Sequence, residues 1–354
     1  MKTAWALYKQ SFPEAYNVAS VTRALIRRGF DTKTVNLHNV RVDSHGNLRY
    51  TPDYSILEPP DLIVPCNGMR VPIIDFEWRM SRGEDIEENL PSYNYEGSPD
   101  PGSYNYTNFC SVHAYKALNI IDSQWPSFIP HSIRAHVLAS EKWWAYNCFV
   151  NSNNVSFAKS ATFGITNNFD FSNEFLKGLI VDLVGEPFIL KSVHGSNGEG
   201  TELCYTINNL EEVCRKVWAK RPHGKILIQE YINHSAGMVL TVGVCGDTIF
   251  PVARIGSIDV PEFKADTEVG RLQVAYKKSK KLQELCVNAR KALNVEYARF
   301  DTMIDGICPD GSFNYKIIEA NCPGGMNVVT LTHNVEFGDV IVQHCVDLYE
   351  KRNV

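Results

Sequence analysis

Two carboxylates and a carboxamide occur on a predicted β-hairpin near the end of the chain, at Asp301, Glu319 and Asn321. The hairpin is predicted over residues 299–326, because alternating apolar positions flank turn-forming residues at 309–312. Counting outward from the middle of this turn places Asp301 across from a point between Glu319 and Asn321, which share one strand face. Three oxygen-bearing side chains in this arrangement are ligands that Mg²⁺ prefers.

Carboxylates on a hairpin more often form a solvated face than a metal site. Here Ile317 and Ile318 make the second strand apolar on both sides, so Glu319 is expected at a buried strand end. A carboxylate in that position needs a partner, which favours the metal site. A bulge near Gly306 would shift the register by one residue.

Length and composition limit the class of protein. A chain of 354 residues predicts two or three domains, and 44% hydrophobic with 21% charged residues is ordinary for a globular enzyme. The net charge of −5, without a basic tract, argues against nucleic acid as a partner. No apolar stretch approaches the ~20 residues of a membrane span. Ten cysteines without a CxxC pair indicate neither a disulfide framework nor a zinc knuckle, and we expect a cytoplasmic protein.

The N-terminal region predicts a small α/β unit with a parallel sheet. Strands are predicted at 3–8, 33–37 and 61–65, and a helix at 17–28, where apolar residues have helical spacing. Arg70 follows the last of these strands, at the sheet edge where ligands bind, and could hold an anionic substrate.

Residues 84–108 are acidic and then loop-like, and they contain the sequence SYNY twice. Long loops are usually functional lids or disordered segments, and four tyrosines argue against disorder. We therefore predict an ordered Tyr-rich insertion near a substrate entrance.

Two lysines precede features that can bind phosphate. Ser140 is a predicted cap of a helix that carries Lys142 in its first turn and is apolar nearly all round. Lys191 lies at the end of a predicted strand at 186–193, before the glycine-rich segment HGSNGEGT. This segment is neither a P-loop nor a dinucleotide fingerprint, because a strand follows it. Glycines leave its backbone N–H groups free to wrap a phosphate, although a plain flexible hairpin is the commoner explanation.

The remaining predicted elements connect these segments. A strand at 225–232 ends in the sequence QEYI, and a two-residue turn at Gly246-Asp247 joins two further strands. Helices are predicted at 208–220, 277–293 and 335–352.

Taken together, the two lysines, the glycine-rich loop, the QEYI strand and the RFD and EAN sequences of the hairpin resemble an ATP-grasp ligase. The similar families are the D-alanine–D-alanine ligases and the RimK-like amino-acid ligases, and the resemblance covers residues 138–330. It implies an α/β (α+β) fold in which two α+β subdomains, at 139–228 and 229–354, clamp ATP. An N-terminal parallel α/β domain at 1–138 precedes them.

The resemblance implies site residues by position. Phosphate ligands are implied at Lys142, Lys191, Ser196 and Asn197. The Glu230 carbonyl and the Ile232 N–H are implied to bind adenine, and Asp301, Glu319 and Asn321 to bind magnesium. Implied catalytic positions are Arg299, which would stabilise a tetrahedral intermediate, and Gly325, which aligns with the family's PGM sequence.

Some positions depart from the families. Val239 stands where an acidic residue usually binds the ribose, and Thr241 stands where RimK-like enzymes have an arginine. Pro323 is displaced from its usual place, and Lys264 matches a substrate-side lysine only weakly. These departures leave the substrates open.

The resemblance implies an ATP-dependent carboxylate–amine ligase for an amino acid or peptide-type substrate, acting through an acyl phosphate. The alternatives are a small-molecule kinase on the same scaffold and a non-catalytic ATP-binding relative. The expected cofactors are ATP and Mg²⁺, with Mn²⁺ as an alternative metal. The expected partners are small-molecule carboxylates and amines, without nucleic acid or membrane, and a homodimer is allowed.

Overall fold

A computed structural model describes residues 1–8, 15–66, 80–82, 101–162, 170–192, 200–220, 226–235, 237–256, 272–322 and 325–352. Its strands are β1 Thr3–Tyr8, β2 Asp31–Asn36, β3 Val40–Val42, β4 Leu48–Tyr50, β5 Ser55–Ile56, β6 Leu62–Pro65, β7 Ser160–Thr162, β8 Phe188–Ser192, β9 Thr201–Cys204, β10 Ile226–Glu230, β11 Met238–Cys245, β12 Thr248–Ile255, β13 Leu272–Ala275, β14 Tyr297–Ile307 and β15 Phe313–Asn321. Its α-helices are α1 Ala15–Arg27, α2 Pro101–Gln124, α3 Ile133–Leu138, α4 Lys142–Ser152, α5 Glu174–Val184, α6 Leu210–Lys220, α7 Lys280–Ala292, α8 Met326–His333 and α9 Phe337–Arg352.

The chain divides into two compact units. Unit 1 comprises Met1–Ser140, Cys322–Asn327 and Glu336–Val354, and unit 2 comprises Glu141–Asn321 and Val328–Val335. The three-part division predicted from the sequence stays a prediction. None of the described helices combines the length and apolar character that crossing a bilayer requires.

Unit 1 contains the predicted parallel sheet, with strand order β2-β1-β6. Helix α1 connects β1 to β2 and ends before Gly29, whose φ of +81° suits a residue without a side chain. Helices α1 and α9 pack against each other beside this sheet. The strand–helix–strand prediction is confirmed, within two or three residues at each boundary.

The other side of the unit 1 sheet packs against helix α2 and the small antiparallel sheet β3-β4-β5. The loop-like character predicted for residues 84–108 is wrong over residues 101–108, which form the first turns of α2, and the insertion near a substrate entrance stays a prediction. Pro101 is the first residue of α2, where its missing N–H and fixed φ are favourable. Residues 83–100 lie outside the described part of the chain.

One half of unit 2 is built on the antiparallel sheet β7-β10-β8-β9. Phe188 and Leu190 of β8, and Ile226 and Ile228 of β10, are buried in a core with helices α5 and α6. Because successive strand side chains point to opposite faces, Lys191 of β8 lies on the face away from these helices.

The other half of unit 2 is the antiparallel sheet β13-β12-β11-β14-β15. The predicted turn at Gly246-Asp247 joins β11 to β12, with Cys245 paired to Thr248. Helices α4 and α7 pack on one face, where the rings of Phe149 and Phe300 lie 6.4 Å apart in an edge contact. The neighbours of Phe300 in β14 therefore point to the opposite face.

The β14–β15 hairpin has a register one step different from the predicted one. Asp301 lies directly opposite Glu319, and Arg299 lies directly opposite Asn321. The register shifts between Asp301 and Thr302 and again between Ile304 and Gly306. The predicted register missed by one position at the turn itself, because Ile307 already pairs with Phe313 and the turn is therefore centred on Asp310. The two irregularities leave one unpaired residue on each strand, so their effects on the register cancel at Asp301.

Candidate active site

The polar face of the five-stranded sheet collects most of the predicted site residues. Asp301 pairs with Glu319 across β14 and β15, and with Thr241 across β14 and β11. Arg299 and Asn321 form the neighbouring pair on the same face. Two carboxylates and a carboxamide are therefore adjacent on one sheet surface, and this oxygen donor set fits a hard divalent cation.

Asp301 is buried and surrounded by cationic and hydroxyl groups. The Thr241 hydroxyl donates a hydrogen bond of 2.8 Å to its Oδ1. Arg254 Nη2 lies 3.2 Å from the same oxygen, and Arg299 Nη2 lies 3.7 Å from Oδ2. Cationic side chains of the protein thus balance the negative charge of the Asp301 carboxylate.

These contacts set the protonation of Asp301. Burial alone raises the pKa of this carboxyl, because the charged form loses its hydration. The positive charges of Arg254 and Arg299 outweigh that effect, with smaller contributions from Thr241 and Lys191. The pKa therefore lies below its usual range, and Asp301 is an anion at neutral pH.

Lys142 is the first residue of α4, and its Nζ lies 3.4 Å from Glu319 Oε1. Its side chain is only 7% exposed, because it points to a carboxylate rather than to solvent. The predicted cap is wrong: the N-cap of α4 is Glu141, and the Ser140 hydroxyl is an acceptor for the N–H of Cys322. The expectation of an all-round apolar, buried helix is also wrong for Trp143, which is 41% exposed.

Lys191 belongs to the four-stranded sheet, yet its charge lowers the pKa of Asp301 in the five-stranded sheet. Its cross-strand neighbours are Leu227 in β10 and Thr201 in β9. Lys191 lies on the face of its sheet that points away from the helices. Its positive charge therefore acts on the polar face of the five-stranded sheet, where Asp301 lies.

The predicted adenine-binding segment follows directly from β10. Glu230 is the last residue of that strand, and Ile232 is buried just beyond it. The Glu230 side chain is held by Lys316 of β15, with 2.7 Å between Oε1 and Nζ. Burial lowers the pKa of the Lys316 ammonium, but Glu230 and Asp305 raise it above its usual value. This ion pair ties the end of β10 to the hairpin that carries Asp301 and Glu319.

A buried hydrogen-bond chain fixes the residue before Glu230. Gln229 Nε2 donates to the Tyr146 hydroxyl at 2.6 Å and to Ser160 Oγ at 3.0 Å. The Tyr146 hydroxyl donates to the Ile318 carbonyl at 2.6 Å. Burial raises the pKa of Tyr146 and the charge of Glu319 raises it further, so the hydroxyl remains a donor.

Several predicted residues lie outside the described part of unit 2. Ser196 and Asn197 lie outside the described residues, as do Arg70 and Lys264. Gly325 is described, but it belongs to unit 1. Their proposed roles stay predictions.

Sequence reasoning missed Arg254 and Lys316. Arg254 is a lone cation in an otherwise apolar strand and is buried, which is a usable signal because buried charges need a partner. Thr241 was noted only as a departure from the RimK-like arginine, whereas it donates to Asp301. Lys316 gives no such signal, because its contact crosses from one sheet to another.

Comparisons with known proteins identify the family and the fold. The profile of the RimK-like ATP-grasp domain matches residues 148–344. A probable alpha-L-glutamate ligase from Legionella pneumophila is 23% identical over 177 residues, which cover 50% of this chain and 56% of the relative. The chain therefore spans about half the length of the curated relatives it matches.

Solved structures show the same fold over nearly the whole chain. The ATP-grasp ligase PsnB, complexed with a phosphomimetic variant of its minimal precursor, Mg and ADP, gives a TM-score of 0.64 at 16% identity, covering 98% of this chain and 99% of that chain. The D-alanine–D-alanine ligase of Bacillus anthracis, complexed with ATP, gives 0.57 at 11% identity, covering 99% and 100%. The predicted ATP-grasp fold is confirmed. Because the profile match spans more than half of the chain, the protein belongs to the RimK-like ATP-grasp family.

Proposed function

We propose that the protein is an ATP-dependent carboxylate–amine ligase that acts through an acyl phosphate. The observation that carries this proposal is the arrangement on the sheet face. Asp301 and Glu319 lie opposite each other, and cationic groups of Arg254, Arg299 and Lys142 lie within 3.7 Å of their oxygens. Such a surface suits a reaction that moves negative charge between phosphoryl and acyl groups.

The proposed reaction has two steps. A substrate carboxylate oxygen attacks the γ-phosphorus of ATP, the bond from that phosphorus to the β–γ bridging oxygen breaks, and ADP leaves. The amine nitrogen then attacks the acyl carbon, loses a proton to solvent, and phosphate leaves with the oxygen that came from the carboxylate. No protein nucleophile is required, so none of the cysteines is assigned that role.

Each residue of the sheet face is assigned a proposed role from its position. Asp301, Glu319 and Asn321 would hold Mg²⁺, which when bound neutralises phosphate charge and polarises the γ-phosphoryl group. Lys142 already lies beside Glu319, so its ammonium would lie close to phosphates carried by the same metal site. Lys191 would supply a further positive charge from the facing sheet.

Arg299 is the residue we assign to the second step. Its Nη2 is 3.7 Å from Asp301, which is longer than a hydrogen bond, and its Nε is buried without a hydrogen-bond partner among the described residues. These donors would therefore be available to the oxyanion of the tetrahedral intermediate.

The adenine contacts are proposed at the Glu230 carbonyl and the Ile232 N–H, next to the strand end that Lys316 holds. Ser196 and Asn197 are proposed to cover the phosphates, and Gly325 to act in the segment that follows the metal ligands. The compartment we propose is the cytosol, because the nine cysteines that the structure describes are free thiols.

The amine substrate is proposed to be an amino acid or the amino group of a peptide. Two names support this choice: the Legionella relative is named a glutamate ligase, and the B. anthracis enzyme is named a D-alanine–D-alanine ligase. Free amino acids and dipeptides are therefore the first substrates to test.

The test is a screen for ADP release with Mg-ATP, amino acids and dipeptides, followed by isotope tracing on any active pair. If the carboxylate is labelled with ¹⁸O, one labelled oxygen should appear in the released phosphate, and hydroxylamine should trap a hydroxamate. A stable phosphorylated product without free phosphate would indicate a kinase. Tight ATP binding without turnover across the screen would indicate a binding protein. The same ADP-release screen is repeated with Mn²⁺ in place of Mg²⁺, so that the two metals are compared.

A further inference from the structure

Unit 1 contains a cluster of two histidines and a cysteine that the proposed ligase reaction does not use. His131, His136 and Cys322 are all buried, and one ligand atom from each lies within 4.8 Å of the other two. His131 Nε2 is 3.0 Å from His136 Nδ1, and Cys322 Sγ is 3.4 Å from that same nitrogen. The two imidazole rings stack at 8° with their centroids 5.3 Å apart.

Two polar atoms therefore converge on His136 Nδ1. A ring nitrogen carries either one proton or one lone pair in its plane, so it makes one good hydrogen bond there. A second polar atom at a similar distance from His136 Nδ1 therefore makes only a weak hydrogen bond to that nitrogen. A cation between the three atoms would instead accept one lone pair from each of them.

The backbone around the cluster is held in place independently. The Ser132 hydroxyl caps α3 by accepting from the N–H of Ala135, and the Asp122 carboxylate accepts from the N–H of Ile133 at 2.8 Å. The N–H of Cys322 donates to Ser140 Oγ at 2.9 Å. The three side chains are thus presented by a backbone that is already anchored, as a binding site requires.

We propose that His131, His136 and Cys322 bind a borderline-soft divalent cation of the zinc class. Tetrahedral zinc with ordinary Zn–N and Zn–S bonds separates its ligand atoms by roughly 3.3–3.6 Å. The separations of 3.0 and 3.4 Å need only a small adjustment to reach these values. Two imidazole nitrogens and a thiolate discriminate against Mg²⁺, which takes oxygen ligands.

The occupied site has a net charge of +1, because the divalent cation is offset by one thiolate. The Cys322 thiol gives its proton to solvent when sulfur coordinates the cation, and both histidines bind as neutral imidazoles. A water molecule occupies the fourth position. The cation closes a loop between residue 136 and residue 322 and so stabilises unit 1, which makes this site structural and independent of the ligase proposal.

The test uses the full-length protein, produced in cells with added zinc and dialysed against a weak chelator. We expect about one zinc per chain by mass spectrometry, and a lower thermal midpoint after a strong chelator removes it. Cobalt(II) in the emptied site should give the sulfur-to-metal absorption and intense visible bands of tetrahedral thiolate coordination. Added zinc should abolish them.

Variants locate the site. Cys322→Ser and His136→Asn should lose zinc and the cobalt spectrum. The matched controls are Cys66→Ser and His45→Asn, which change a buried cysteine and an exposed histidine elsewhere in unit 1. Both controls should keep zinc and the cobalt spectrum. If the first pair fails to fold, the wild-type cobalt spectrum and its displacement by zinc decide the matter. Wild-type protein without zinc and without a cobalt spectrum would overturn the proposal, as would full zinc binding by Cys322→Ser. The cluster would then be a hydrogen-bonded core.

Discussion

The Lys142 ammonium lies 3.4 Å from the Glu319 carboxylate, although one begins a helix and the other lies near the end of the last strand. Glu319 is in turn directly opposite Asp301. The lysine that we propose for phosphate and the carboxylate that we propose for the metal are thereby brought together. In this arrangement cationic side chains of the protein balance the charge of the two carboxylates.

Glu319→Gln tests this arrangement. The change removes one negative charge at nearly constant volume, so we expect folding to be intact and turnover to fall about 100-fold, the usual loss when one charge-stabilising group is removed. The measurement is Mg²⁺-dependent ADP release with the active substrate pair. Asp310→Asn, at the exposed turn of the same hairpin, is the matched control and should retain activity. Normal turnover of Glu319→Gln would mean that Glu319 does not hold the metal.

Much of this site follows from sequence, because strand alternation places Asp301, Glu319 and Arg299 on one face. The exact pairing does not follow, because composition alone does not decide whether the turn is centred on Asp310 or between Asp310 and Gly311, and that choice moves every pair by one position. The contact of Arg254 with Asp301 is of the same kind, because it spans three strands.

The helices and strands were likewise only partly predictable from the sequence. Short apolar runs locate β1 and the β11–β12 hairpin, whose strands are buried on both faces, and helical spacing of apolar residues locates α1. The helical start of α2 at Pro101 was missed, because a tyrosine- and asparagine-rich segment has little helical periodicity of its own. Its later turns are buried in the unit 1 core, so tertiary packing stabilises the helix.

Lys316→Met tests how the adenine-binding segment is held. Loss of the 2.7 Å ion pair leaves Glu230 without this cation, and the strand end before Ile232 should become less ordered. We expect the KM for ATP to rise five- to tenfold with kcat within twofold, which corresponds to roughly 1–1.4 kcal/mol, within the range for one intramolecular polar contact. Lys316→Arg should restore most of the affinity. A fall in kcat at unchanged KM would contradict a nucleotide-positioning role.

Tyr146→Phe tests the buried hydrogen-bond chain. The variant removes the acceptor of Gln229 Nε2 and the donor to the Ile318 carbonyl, both at 2.6 Å. Because these groups are then buried with fewer partners, the free energy of unfolding should fall by about 1–3 kcal/mol. Urea denaturation measures this change. Tyr205→Phe, at a tyrosine that is 69% exposed, should have little effect.

Asp339 gives a pH-dependent prediction for unit 1. Its carboxylate accepts 2.7 Å hydrogen bonds from Arg28 and Arg27, and Arg28 is the main cause that lowers its pKa to about 2. Because the folded pKa is below the unfolded value near 3.8, the stabilisation is present above pH 4 and is lost as the pH falls towards 2.

Asp339→Asn should therefore lower the thermal midpoint at pH 7, and the difference from wild type should shrink below pH 4. With the side chain 37% exposed, solvent screening limits the loss to about 1 kcal/mol or less. A difference that stays constant from pH 7 to pH 2 would show that the Asp339 charge does not contribute.

Arg299→Met separates the two steps of the proposed ligase reaction. The alternative role for Arg299 is simply to neutralise Asp301, since its Nη2 lies 3.7 Å from that carboxylate. If Arg299 instead meets the oxyanion, the variant should still form the acyl phosphate but transfer it poorly. Formation is measured as carboxylate-dependent ADP release in a single turnover, and transfer is measured as amide product.

We expect amide formation by Arg299→Met to fall at least ~100-fold, the scale of a lost oxyanion donor, while ADP release in the first turnover falls much less. Arg254→Met is the matched control, because Arg254 contacts the same carboxylate at 3.2 Å and should slow both steps together. Equal losses in the two variants would assign Arg299 to neutralising Asp301. A stable phosphoester product in the wild type, with no hydroxamate from hydroxylamine, would replace the ligase by a kinase on the same ATP-grasp fold.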